Sequence, residues 1–199
     1  MPLLGELARA LSELDSRRFR SVVTGQANAV LLAPDLTVVE HRRVVLNPFR
    51  FRRAQAHTLG LSLRDRIYWA KERRVCQVLR LRRRDRTLVV ANLHATGHRF
   101  DKRIPDAELL RAAVFVDGFA LPDEPILLCG DFNLSLRNSR TLLDLMTEEW
   151  GFSGATPTGI DHVLARGLRA GPPHVWPVVR RTRDGRVLSD HPPVEREVE

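Results

Sequence analysis

Cysteine is scarce: the 199 residues hold only Cys76 and Cys129. Both sit inside apolar runs, so neither a disulfide framework nor a cysteine zinc site is expected, and they read as reduced core residues. No run of 18 apolar residues occurs, which argues against a membrane-spanning helix. The first twenty residues lack a basic n-region, an unbroken apolar h-region and a small-residue cleavage site, so no export signal is read and a cytoplasmic location is expected. Repeats, low-complexity tracts and linkers are also missing. With 43% hydrophobic residues the chain has enough apolar material for a core, and its length suits a single domain spanning residues 1–199.

Charge is present in excess and unevenly. Thirty-two Lys and Arg against 24 Asp and Glu give +8. Residues 42–103 carry 18 basic and 4 acidic side chains, a local +14, while the flanking segments are slightly acidic. Such a segment either attracts phosphate or simply forms a solvated face.

Leucines spaced by three and four predict an amphipathic helix over residues 2–15. Short β-branched stretches separated by Gly25 and Pro34-Asp35 predict strands at 19–23, 27–33 and 37–46. Residues 47–72 show no clear periodicity and read as a long loop with at most a helical turn. Strands at 75–81 and 87–95 flank a charged tip at 82–86, the pattern of an antiparallel hairpin. Helices are expected at 104–119 and 139–149. Further strands are expected at 125–129, 160–165, 175–181 and 193–198, with Asp184-Gly185 as a turn between the last two. The class is α+β, with mainly antiparallel sheets and helices on their outer faces.

Four polar signatures lie at or beside these strands: Asn92-Leu93-His94, Gly130-Asp131-Phe132-Asn133, Ile160-Asp161-His162, and Ser189-Asp190-His191-Pro192. Strand ends can converge on one rim of a sheet and build a site from distant parts of a chain. Singly each signal is weak and reads more often as a turn or a satisfied strand-end residue. His41, His57, His98 and His174 have no partner that the sequence identifies, and His162 should face away from Asp161 by strand alternation.

In this order and at these intervals the signatures resemble the endonuclease/exonuclease/phosphatase superfamily, with its deoxyribonuclease I-like fold of two packed β-sheets flanked by helices in four layers. The resemblance implies a Mg²⁺- or Mn²⁺-dependent hydrolase of phosphate esters. It implies that His191 is the general acid/base or phosphate-stabilising histidine and Asp161 the carboxylate that orients it. Asp131 would orient or deprotonate the attacking water near a metal, Asn133 would bind a phosphate oxygen, and Asp190 would be a metal ligand. His94 stands where apurinic endonucleases carry tyrosine and where the deoxyribonuclease and lipid or inositol phosphodiesterase branches carry histidine, which argues against abasic-site repair. Asn28 resembles a residue that frames that histidine. Arg73 and Arg74 resemble a region where members place an arginine near substrate, or else belong to a solvated charge run.

Members of the superfamily open with a strand ending in asparagine and a later one ending in Gln-Glu, whose glutamate is the principal metal ligand. Neither is read here, and the helix at 2–15 resembles the one that follows that glutamate. The domain is therefore expected to lack its first two strands, through a start placed too late, loss of function or genuine shortening, and this chain is expected to bind Mg²⁺ poorly and to show reduced or no activity. Three functions follow: a phosphodiesterase with nucleic acid slightly favoured as substrate, a lipid or inositol phosphate hydrolase, and a catalytically silent binding module using the arginine-rich hairpin. Oligomeric state is left open.

Overall fold

The computed structural model describes residues 20–23, 28–98 and 101–199, with side chains described from residue 28 onward. The helix expected at 2–15 lies outside the described residues. The strands are β1 (Arg20–Val23), β2 (Ala29–Leu32), β3 (Thr37–Val45), β4 (Val75–Arg83), β5 (Arg86–His94), β6 (Ile126–Asp131) and β7 (Asp161–Arg166). Four two-residue strands close the chain: β8 (His174–Val175), β9 (Thr182–Arg183), β10 (Arg186–Val187) and β11 (Val194–Glu195). The helices are α1 (Phe49–Thr58), α2 (Leu63–Ala70), α3 (Arg103–Asp117) and α4 (Arg140–Leu145).

A five-stranded sheet in the order β3-β4-β5-β6-β7 forms the centre. Within it only β5 and β6 pair in parallel, with α3 crossing between them; the antiparallel β4 and β5 are joined by a tight turn, while α1 and α2 lie between β3 and β4 and α4 between β6 and β7. Strand β4 shows how alternation serves both faces. Cys76 and Val78 point to a core shared with Leu109, Ala112, Ala113 and Val116 of α3. Leu79 and Leu81 point to the opposite face, against Leu32 and Val30 of β2. The antiparallel β1–β2 pair thus forms a second sheet layered on the first. This is the α+β arrangement of packed, mainly antiparallel sheets with outer helices that the sequence predicted.

Two expectations are corrected. Residues 47–72 are not a loop but hold α1 and α2. The Ser62 hydroxyl accepts from Asp65 N at the start of α2, and Trp69, Ala56, Leu61 and Ile104 bury themselves as a satellite core. The C-terminal strands expected at 175–181 and 193–198 are much shorter. Residues Val178–Arg181 form a 3₁₀ turn, and Asp184-Gly185 closes the small β9–β10 hairpin instead of joining the two longer strands. Cys76 is buried and Cys129 half-buried, both free, and burial pushes both thiols up to about 12, which keeps them inert. No helix among the described residues is long and apolar enough to cross a membrane.

Candidate active site

Register brings the polar signatures together. His94 pairs with Asp131 across β5 and β6, and Asp131 pairs with Asp161 across β6 and β7. Three strand ends therefore set three candidate side chains in a row, and the segment before β11 brings His191 over them. Nδ1 of His191 lies 2.8 Å from Asp161 Oδ2 and 3.9 Å from Asp131 Oδ2. Nε2 of His94 lies 3.4 Å from the same Asp131 oxygen. Asp131 thus stands between two imidazoles.

The two histidines are tuned in opposite directions. Partial burial opposes a charge on His191, but the Asp161 hydrogen bond and the Asp161, Asp131 and Asp190 carboxylates outweigh it and raise the imidazole above its ordinary value. Burial first, and the Arg74 charge second, hold His94 below its ordinary value despite Asp131. Asp161 is itself raised, by burial and by its neighbour Asp131, with the His191 hydrogen bond pulling the other way. The result is a pair of imidazoles pushed apart in basicity over two carboxylates.

The turn after β6 is built tightly. Gly130 has φ +132°, and a Cβ there would stand 1.9 Å from the Leu93 carbonyl oxygen, so only glycine lets β6 close on β5 before Asp131. Asn133 adopts a left-handed φ of 53°, and its N–H donates to Asp131 Oδ1 at 2.9 Å. Its side-chain amide donates to Ala95 O at 3.0 Å. One amide proton expected to meet phosphate is therefore engaged in holding the turn against the end of β5.

Asp131, Asp161 and His191 offer ligand atoms within 4.8 Å of one another. The two carboxylates of this group are the hard oxygen donors that a divalent ion such as Mg²⁺ or Mn²⁺ takes, while Nδ1 of His191 is engaged with Asp161. Asp190, expected as a ligand, is not in that group, although its charge reaches His191. Asn28 is buried and its amide donates to Val75 O at 2.8 Å, where it anchors the start of β2. Residues 29–31 of β2 border a cavity of about 500 Å³ that His191 and Asp161 also line. Arg74 pairs with Glu72 at 2.6 Å and acts on His94 through its charge, while Arg73 is exposed on the outer rim.

Sequence reasoning missed a support beneath the site. Glu108 of α3 is fully buried and accepts from Trp69 Nε1 at 2.6 Å, Thr96 N at 2.6 Å and Thr96 Oγ1 at 2.8 Å. It ties α2 and α3 to the loop that follows His94. His98, for which the sequence offered no partner, has three: Asp65 at 3.2 Å, the N–H of Asp101 at 2.8 Å, and the Tyr68 ring edge-on at 4.8 Å. His162 does turn away from Asp161. It is buried, with Nδ1 accepting from Thr156 N at 3.0 Å and Nε2 donating to Leu134 O at 2.8 Å.

The charged hairpin tip is remote. It begins β5 at Arg86, whereas His94 ends it, eight residues on, a separation of about 26 Å at strand rise.

The profile of the Endonuclease/Exonuclease/phosphatase family matches residues 82–191, a span running from the hairpin tip to His191. No curated protein matches the sequence. Among solved structures, a truncated Caenorhabditis elegans TDP2 shares the fold with a TM-score of 0.67 and 14% identity, over 96% of this chain and 78% of that one. The mannosyl-6-phosphatase of Bacteroides thetaiotaomicron gives a TM-score of 0.64 at 17% identity, over 96% and 80%. An endonuclease/exonuclease/phosphatase from Bacteroides vulgatus gives 0.66 at 14%, again over 96% and 80%.

Proposed function

We propose, from the premise that this chain belongs to the endonuclease/exonuclease/phosphatase family, whose members hydrolyse phosphate esters, that its own reaction is divalent-metal-dependent phosphate-ester hydrolysis at the Asp131–Asp161–His191 centre. The observation that carries this reading is the contact of His191 with Asp161 beside Asp131, on the ends of adjacent strands.

Asp131 accepts a proton from a water whose oxygen forms the new bond to phosphorus as the bond to the leaving alkoxide breaks. His191, held protonated by Asp161, places positive charge on the phosphate and supplies the proton that the leaving oxygen needs. Neutral His94 donates a hydrogen bond to a phosphate oxygen, and the second amide proton of Asn133 does the same. Asp131 and Asp161 would hold Mg²⁺ or Mn²⁺, with the Asp190 carboxylate close enough to act on the charge of His191. Such an ion neutralises charge building on the phosphoryl oxygens. The products are an alcohol and a phosphate with one ester bond fewer.

Nucleic acid is slightly favoured as substrate by the excess of Lys and Arg over residues 42–103, which includes Arg74, whose charge reaches His94. The hairpin tip lends this no support, being at the other end of β5. A lipid or inositol phosphate ester is the second reading, because His94 fits either head group. The reading takes the chain as one domain in the cytoplasm. Initial rates on plasmid DNA and on inositol phosphates with Mn²⁺ discriminate the two, and turnover of neither by the folded chain sinks both.

A further inference from the structure

We infer that the α1–α2 surface docks onto an anionic lipid bilayer. The observation is an apolar patch set among arginines on the two helices inserted between β3 and β4. Leu63 is 73% exposed, Phe49 69% and Ile67 55%, far more than a folded core would leave to such side chains. Leu63 and Ile67 stand four residues apart and so share one face of α2. Ile67 and Phe49 both line a cavity of about 330 Å³, together with the buried Trp69 and Ala56.

The same cavity is lined by Arg52, Arg53 and Arg66. Arg66 Nε donates to Leu61 O at 2.9 Å, whereas Arg52 Nε is buried with no hydrogen-bond partner among the described residues. From residue 49 to residue 74, eight Lys and Arg stand against Asp65 and Glu72. Exposed aliphatic and aromatic groups ringed by cations complement one surface in particular, a leaflet whose phosphates meet the arginines and whose acyl boundary receives Phe49, Leu63 and Ile67. Single-stranded nucleic acid fits less well. Bases stack on aromatic rings, and two of the three apolar side chains of this patch, Leu63 and Ile67, are aliphatic. Along the chain α2 leads through Lys71 and Glu72 to Arg74, whose charge acts on His94, so docking there would hold the candidate active site close to the bilayer.

The inference rests on the exposure and charge of these helices and not on the hydrolase reading. The test is co-sedimentation of the full chain with phosphatidylcholine vesicles with and without phosphatidylserine, at low and high salt. The expected result is binding only to vesicles that contain phosphatidylserine, weakened by salt. Replacing Phe49→Ser together with Ile67→Ser should weaken it about tenfold, and Arg52→Glu with Arg53→Glu should abolish it. Each variant should keep wild-type circular dichroism and wild-type turnover of soluble bis(p-nitrophenyl) phosphate. Exposed Arg53→Glu alone serves as a milder second variant and should also weaken binding. Failure to sediment with anionic vesicles, full retention of binding in the Phe49/Ile67 variant, or loss of single-stranded DNA binding in place of vesicle binding would each overturn the proposal.

Discussion

Asp161 Oδ2 stands 2.8 Å from His191 Nδ1, close enough that the carboxylate fixes the orientation of the ring and favours its protonated form. Replacing Asp161→Asn keeps the shape and removes the charge. Hydrolysis should fall by about 10²-fold or more. The alkaline limb of the rate profile should also move to lower pH, because His191 loses the group that raises its pKa. A pH–rate series on both proteins checks this, and an unmoved limb would show that Asp161 acts only in packing.

Gly130→Ala should be among the most damaging changes in the chain. A methyl group would collide with the Leu93 carbonyl oxygen at a positive φ of 132°, so β6 must part from β5 immediately before Asp131. A loss of about 3 kcal/mol or more in urea unfolding is expected, accompanied by loss of hydrolysis. A stable Gly130→Ala protein would contradict the close approach.

Glu108 makes stability depend on pH. Burial, outweighing the Trp69 and Thr96 hydrogen bonds, holds its carboxyl above the ordinary range in the folded protein. The folded state therefore binds this proton more tightly than the unfolded chain, whose glutamates titrate near ~4.3. The stabilisation is complete below that value and is lost as pH rises through the raised folded value. Urea midpoints between acid and neutral pH should decline in wild type relative to Glu108→Gln, and parallel curves would refute the assignment.

Arg80 belongs to the basic segment yet serves the fold. Its Nε meets both Glu124 oxygens, at 2.9 and 3.1 Å, its Nη2 donates to Phe119 O at 2.8 Å, and its Nη1 pairs with Glu40. With Glu124 nearly buried, Arg80→Ala strands a carboxylate and should cost about 3 kcal/mol or more. Chemical denaturation measures this directly. Nucleic-acid affinity, in contrast, should be unaffected.

The hairpin of β4 and β5 was legible because alternating apolar residues flank a short charged tip, and the site because its polar residues sit where strand patterns end. Helices α1 and α2 were hidden. Arginine occupies positions on every side of them, so the 3.6-residue period is faint, although Ser62 three residues ahead of Asp65 carries a helix-start signal. Near the C-terminus, Pro172, Pro173 and Pro177 break what reads as apolar strand into bridges and a 3₁₀ turn. Glu108 and His98 had no local signal at all. Their partners Trp69 and Asp65 lie 39 and 33 positions away in sequence, and only folding brings them together.

The central claim is that His191, set by Asp161 beside Asp131, drives metal-dependent phosphate-ester hydrolysis. The most direct measurement is the rate of bis(p-nitrophenyl) phosphate hydrolysis with Mn²⁺, Mg²⁺ or a chelator, by the wild-type chain and by His191→Ala. The account predicts turnover that requires added metal and drops by about 10²-fold or more in the variant. Turnover that survives in His191→Ala, or no turnover by the folded wild type with either metal, would contradict it.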